Sequence, residues 1–344
     1  MTQEKPTVLI EVKTDMNPKS KMPLTAGKLM LALITATLLF SGTALAQWKP
    51  EKPIEFVIMA GQGGGADRLA RFIQAIIQKE HFSTQPFIPV NKGGGSGAEA
   101  LRYLKEKSGD NHILMATLNS YYTTPLQNDI GVDIKEFTPV ARLALDTFLL
   151  WVNEDSTIKS LPDYIKSVKD AKGNFKMGGT GRNQEDELIT KMMEGEFKFE
   201  LTYIPFSGGG DVAKNLVGGH VDSTVNNPSE ASGFYRAKKV RALATFTEQR
   251  LPAYKDVPTM RELGHDLVYT MQRSVVGPPG MSKEAEAYYS DVFKKVSESK
   301  EWLDYVEKSE LDAAYLAGND LQKFFLKERE EHRKLLISMG AIKP

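Results

Sequence analysis

The sequence predicts an α/β protein in which short strands alternate with helices in two similar blocks. Three observations predict it. Short apolar runs such as Ile54–Met59 and Ile113–Thr117 end in small or polar loops, and apolar residues at helical spacing resume beyond each loop. The strand–loop–helix device recurs three times between residues 54 and 122 and returns after residue 175. The chain has 344 residues, 41% of them hydrophobic, which is enough to bury the cores of two domains.

The N-terminus sets the compartment. Residues 1–28 carry Lys13, Lys19, Lys21 and Lys28, and an apolar run follows over Leu29–Phe40. Ala44-Leu45-Ala46 then precedes Gln47. A basic flank, a short apolar core and small residues before the cut describe a secretory signal peptide cleaved after Ala46. The run is short of the roughly 20 residues that span a bilayer. The long head before it points to a start codon assigned too early, with Met16 or Met22 as the alternatives. The mature protein is expected outside the cytoplasm. Its 44 basic and 44 acidic residues balance, so no charge bias points to nucleic acid or to an anionic membrane. The absence of cysteine excludes disulfides, thiolate nucleophiles and cysteine metal sites.

The first strand, Ile54–Met59, runs into the glycine loop Ala60–Ala66, and Asp67 stands where a helix should begin. Leu69, Phe72, Ile73, Ile76 and Ile77 mark that helix's buried face. The loop glycines let the backbone turn tightly and approach a ligand. The first N–H groups of a helix lack internal partners, and its dipole favours negative charge there. An anion site for a carboxylate or phosphate is therefore expected at this loop. Gln85–Asn91 reads as an edge or short strand because of Pro86 and Pro89. Lys92–Gly97 opens a helix over Ala98–Lys107, and Ile113–Thr117 ends in the polar loop Leu118–Tyr122. Alternation of this kind implies a parallel sheet with ligands at the strands' carboxyl ends.

Val140–Leu145 and Thr147–Val152 read as strands, and Leu161–Ala171 as a helix. Phe175–Gly178 is a strand entering Gly179-Thr180-Gly181-Arg182, with a helix beginning near Asn183. Leu201–Pro205 ends in Phe206-Ser207-Gly208-Gly209-Gly210-Asp211 before a helix over Val212–Val217. Val221–Val225 and Val240–Thr245 are further strands. Beyond Gly264, Val268–Val276 is a strand stopped by Gly277-Pro278-Pro279-Gly280. Helices over Lys283–Lys300 and Asp320–Ser338 finish the chain, the last with a charge-laced, solvated face.

The motifs GQGGGAD, VNKGGGSGA, GGTGRNQEDEL, YIPFSGGGDVAKNLVGGHVD, VRALATFTEQRLPAYKDVPTMRELG and VGPPGMSKEA follow one another in this order. Together they resemble the solute-binding proteins of the tripartite tricarboxylate transporter family, the Bug receptors, from about residue 53 to the C-terminus. The resemblance implies a two-domain periplasmic binding protein, type II-like, each domain a mostly parallel sheet flanked by helices and joined by hinge strands. Domain 1 would comprise 48–148 and 273–344, and domain 2 149–272, with hinges near Leu149–Val152 and Gln272–Val276. It also implies a monomer that holds a small organic carboxylate in its cleft. The ligand would pass to the large and small membrane subunits of the transporter.

Site residues follow from the matching motifs. Gln62, Gly63, Gly64, Gly65, Ala66 and Asp67 correspond to the family's carboxylate clamp. Asp67 would repel a carboxylate and is expected to cap the helix instead, or to accept from a ligand hydroxyl or ammonium. Gly95 packs alongside, and Asn119 and Ser120 present polar groups after the third strand. Thr180, Gly181 and Arg182 match a second loop, and Ser207 and Gly208 stand where the family has Tyr-Lys-Gly. That departure removes a lysine, for which Arg182 is a candidate replacement against a second carboxylate, or else a surface residue. Asn226 and Asn227 are the last polar candidates, in an Asn-Asn-Pro sequence that also reads as a turn. Loops on both sides of the cleft favour a dicarboxylate. Tyr121, Tyr122 and Phe206 read as packing residues or as the lining for a ring.

Other readings are weaker. Gly61–Ala66 formally satisfies a dinucleotide fingerprint, but Asn91-Lys92 stands where an acidic ribose ligand belongs. No GxSxG elbow or HExxH motif occurs, and His81, His112, His220, His265 and His332 are scattered. No catalytic residue, metal or cofactor is expected. The alternative role is a periplasmic sensor that reports a ligand to a membrane signalling protein.

Overall fold

The expected signal peptide lies outside the residues described, Trp48–Pro344 in a computed structural model of the protein. These residues build two sheets flanked by helices. The first block alternates β1 (Ile54–Ile58), α1 (Gly65–Lys79), β2 (Phe87–Asn91), α2 (Ala98–Glu106), β3 (Ile113–Thr117) and α3 (Ser120–Gln127). β4 (Thr138–Asp146) and β5 (Leu149–Asn153) follow, then α4 (Leu161–Asp170), β6 (Lys176–Thr180), α5 (Glu185–Phe197) and β7 (Thr202–Phe206). Next come α6 (Gly209–Val217), β8 (Ser223–Asn226), α7 (Pro228–Arg236) and β9 (Val240–Thr245). The chain closes with β10 (Met271–Gly277), α8 (Lys283–Glu298), α9 (Lys300–Ser309), β11 (Asp312–Ala317) and α10 (Gly318–Ser338).

The six-stranded sheet has the order β11-β4-β10-β3-β1-β2, and the five-stranded sheet β7-β6-β8-β5-β9. The parallel pairings expected from strand–helix alternation are present: β1 with β2 and β3, and β6 with β7 and β8. β4, β5 and β10, the strands nearest the passages between sheets, pair antiparallel, so each sheet is mixed. The proline-bearing β2 lies at an edge, where its missing N–H costs no ladder bond. β1 shows why the sheets are sandwiched: Ile54, Phe56 and Ile58 enter one core cluster, while Val57 and Met59 enter another on the opposite face. Leu150 and Trp151 divide in the same way in the second sheet.

Three elements escaped the sequence pattern. α7 opens with Pro228 at its first position, so Asn-Asn-Pro is a helix start as well as a turn. β11 carries a register shift between Ala313 and Leu316 that breaks its alternation. The helix expected over Lys283–Lys300 is α8 and ends at Glu298; the third unexpected element is α9, started by Ser299, which adopts an extended conformation and accepts from the Trp302 N–H.

The chain passes between sheets from β4 to β5 through Thr147 and Phe148, and returns to the first sheet at β10. At this point Arg273 of β10 pairs with Asp146 of β4, Nε to Oδ2 at 3.0 Å, with both side chains almost wholly buried. Burial opposes the charge on the guanidinium, but Asp146 outweighs it and holds the arginine above its ordinary pKa. Removing one partner leaves an uncompensated buried charge, which costs about 3–5 kcal/mol, whereas an apolar pair of similar volume is often neutral. Asp146→Leu is therefore expected to destabilise the fold by about 3–5 kcal/mol in urea denaturation. Asp146→Leu combined with Arg273→Met should recover most of that loss. A double variant as unstable as the single one would show that the pair is not what the junction lacks.

Candidate functional site

A cavity of about 460 Å³ lies between the two sheets, within the usual range for small-molecule sites of roughly 300–1,000 Å³. Its wall takes a residue from the carboxyl end of every parallel strand: Ala60, Asn91 and Leu118 after β1, β2 and β3, and Thr180, Phe206 and Asn227 at β6, β7 and β8. Four helices begin in this wall, namely α1, α5, α6 and α7. Their N-caps are Gly64, Gln184, Gly208 and Asn227, and none makes a side-chain capping hydrogen bond. Of the helices that begin outside the cavity, α4, α8 and α9 are capped by Ser160, Ser282 and Ser299, while α2, α3 and α10 have no side-chain cap either. The cavity thus collects uncapped, electropositive helix ends.

Carboxylates of the chain already occupy part of this field. Glu230 of α7 accepts from the Gly65 N–H at 3.1 Å, at the first turn of α1, and from Asn226 Nδ2 at 3.1 Å. Gly209 must be glycine here, because a Cβ would overlap the Glu230 carboxylate. Glu185 of α5 accepts from the Ser120 N–H at 2.9 Å, at the start of α3. Asp186 accepts from the Thr180 N–H at 2.7 Å. Burial raises the Glu185 carboxyl above its ordinary value, against the backbone donors that hold it. Burial raises Asp186 well above the carboxylate range, and the charges of Glu230 and Glu185 add to the effect. Arg273 reaches the cavity beside Gly65, but its guanidinium is engaged by Asp146.

Of the residues singled out in the sequence, Gly64, Gly65 and Ala66 line the cavity from the first sheet. Thr180, Gly181, Ser207, Gly208 and Asn227 line it from the second. The others stand elsewhere. Gln62, Gly63 and Gly95 belong to the same loops but lie outside the wall, which Gly61, Gly93 and Gly94 supply instead. Asp67 does not cap α1 from the N-cap position, which is Gly64. It is the third helical residue and reaches back to the Gly63 N–H at 2.9 Å, while also accepting from Arg71 and Asn91. Asn119 is buried in a structural network with Tyr269, the Thr270 carbonyl and the Gln272 N–H. Ser120 contributes its backbone N–H to Glu185 and is itself buried. Arg182 is 61% exposed, pairs with Glu187 at 3.1 Å and lies outside the wall. Tyr121 and Tyr122 are core residues, and Phe206 alone of the three aromatics lines the cavity.

Sequence reasoning missed Glu185, Asp186, Glu230 and Arg273. Glu185 and Asp186 look like ordinary first-turn acids, and Glu230 lay in a segment read as a turn. Nothing in β10 marks Arg273 as ion-paired, because Asp146 is 127 positions away.

The raised Asp186 carboxyl has a consequence for stability. Between the ordinary aspartate value of 3.8 and its raised folded value, the folded state holds a proton that the unfolded state has released. This contribution to stability is therefore lost as pH rises through that window. Asp186→Asn cannot titrate. Melting profiles compared from about pH 4 to about pH 8 should show the variant gaining on the parent as pH rises. Parallel profiles would contradict the burial argument.

The profile of the tripartite tricarboxylate transporter family receptor matches residues 69–341. A Cupriavidus necator protein of the gbd 5′ region is 26% identical over 295 residues, covering 86% of this chain and 89% of its own. An R. palustris protein solved with adipate is 23% identical, with a TM-score of 0.79 over 85% of this chain and 98% of its own. MatC from Rhodopseudomonas palustris with bound malate is 21% identical, with a TM-score of 0.76 over 83% of this chain and 99% of its own. These structures share the two-domain α/β fold. The chain belongs to the tripartite tricarboxylate transporter receptor family, a family of solute-binding receptors and not of enzymes.

Proposed function

We propose that the protein is a periplasmic receptor that binds a small organic carboxylate in the cavity between its sheets and delivers it to a tripartite transporter permease. The observation that carries this reading is the set of four uncapped helix N-termini around one cavity. Charge-assisted hydrogen bonds to such donors contribute on the order of 1.5–3 kcal/mol each. The relatives solved with adipate and malate support a carboxylate, and dicarboxylates of that size are the first ligands to test. On this reading Gly64, Gly65 and Ala66 act from one side, and Thr180, Gly181, Ser207, Gly208 and Asn227 from the other.

The two sheets would be the centres of two domains, 48–148 with 273–344 and 149–272, which close on the ligand about the β4–β5 and β10 passages. Bonds across the cavity define the closed arrangement, among them Ser96 Oγ to the Arg182 carbonyl at 2.6 Å and Gln127 Nε2 to the Asn183 carbonyl at 3.0 Å. Ligand binding shifts the open–closed equilibrium by its differential affinity for the closed state. The large and small membrane subunits would then read the closed surface of a monomer exported by a signal peptide cleaved after Ala46.

A thermal-shift panel of mono-, di- and tricarboxylates, with phosphate and sulfate as controls, tests the ligand class. A ligand at a hundred times its Kd stabilises the fold by about 2.7 kcal/mol, a rise of several degrees. One carboxylate class is expected to stand out. Stabilisation by phosphate or sulfate alone would assign the cavity to a different anion.

A further inference from the structure

The sequence argument expected the first turn of α1 to await a ligand anion. In the structure that turn is occupied, because the Glu230 carboxylate sits on the Gly65 N–H and is held from its other oxygen by Asn226. The start of α3 is likewise occupied by Glu185. With Asp186, three carboxylates line the cavity. Among the lining residues the one cation is Arg273, which is committed to buried Asp146. Arg182, a candidate for a second ligand carboxylate or else a surface residue, is outside the wall and paired with Glu187. No lysine or histidine lines the cavity.

A second ligand carboxylate would therefore meet Glu230 and two further buried acids, with no uncommitted cation in the wall to offset it. Donors for one carboxylate remain at the uncapped N-termini of α1 and α6, around Gly64, Ala66, Gly208 and Gly209. The charged or acidic groups of the rest of the wall are Glu185, Asp186 and Glu230, beside the committed Arg273. Given the reading above that the cavity takes a carboxylate, we infer that the ligand carries a cationic amine at its other end, and that Glu230 and Asp186 determine this specificity. The substrate class is an amino-substituted organic acid. The chain has supplied its own anions to two of its helix ends, and the group left to be recognised is positive.

Matched pairs of ligands in isothermal titration calorimetry test the inference with the whole protein. Succinate is set against 4-aminobutanoate, and adipate against 6-aminohexanoate, so that length is kept and one carboxylate becomes an ammonium. The amino member of at least one pair is expected to bind ten or more times tighter than its dicarboxylate. Glu230→Gln and Asp186→Asn, each verified as folded by its melting transition, should both narrow that ratio, since the first removes a carboxylate and the second an acid that a neighbouring ammonium would ionise, each keeping a similar shape. A dicarboxylate that binds as tightly as its amino counterpart, or tighter, overturns the inference while leaving the carboxylate receptor intact. A preference unchanged in both variants overturns the assignment to Glu230 and Asp186. Failure of every acid in both pairs and in the wider carboxylate panel to bind removes the receptor reading itself, and this inference with it.

Discussion

A helix cannot satisfy its own first N–H groups, and the arrangement of this protein depends on where those groups are sent. Six parallel strands deliver their carboxyl ends to a single cavity, and four of the helices that follow begin in its wall without a side-chain cap. Three helices that start elsewhere, α4, α8 and α9, have serine caps. A cap contributes about 1 kcal/mol to a helix, so leaving several ends uncapped around one space forgoes stability that these helices would otherwise have. Something must meet the exposed donors. In part it is the chain itself, through Glu230 at the start of α1; Glu185 does the same at α3, whose start lies outside the wall.

That contact ties the chemistry of the cavity to the geometry of the fold. Glu230 belongs to a helix of the second block, and Gly65 to the first helix of the first block. Beneath them Asp146 and Arg273 join the strands nearest the passages between sheets. Arg273 extends to the cavity while it is held by Asp146, so one side chain links the strand junction to the site. Its charge is balanced before any ligand arrives. The cavity therefore has directional N–H donors and resident carboxylates, but no uncommitted cation among its lining residues.

Much of the fold was legible because its strands are short, apolar and bounded by glycine loops. Ile113–Thr117 and Val240–Thr245 match the observed strands residue for residue, and the prolines of Gln85–Asn91 marked an edge. Strand bounds failed where tertiary contacts decide them: the segment from Val268 joins the sheet only from Met271. The glycine loops of the site were readable, since tight turns before helices leave a local signal. The acids were not. Glu230 acquires its role from Gly65, 165 positions away, and Glu185 from Ser120, 65 positions away. Arg182 is open in the sequence between ligand partner and surface residue for the same reason: the sequence shows a charge near a loop, and its pairing with Glu187 is visible only in the structure.

Backbone amide NMR of the labelled protein, titrated with whichever of succinate and 4-aminobutanoate binds tighter, tests the central claim most directly. The account predicts that the largest shifts fall on the amides of Gly64–Ala66 and Ser207–Gly209, the helix ends facing the cavity. Saturable binding that leaves those amides unmoved and perturbs residues away from the cavity would contradict it.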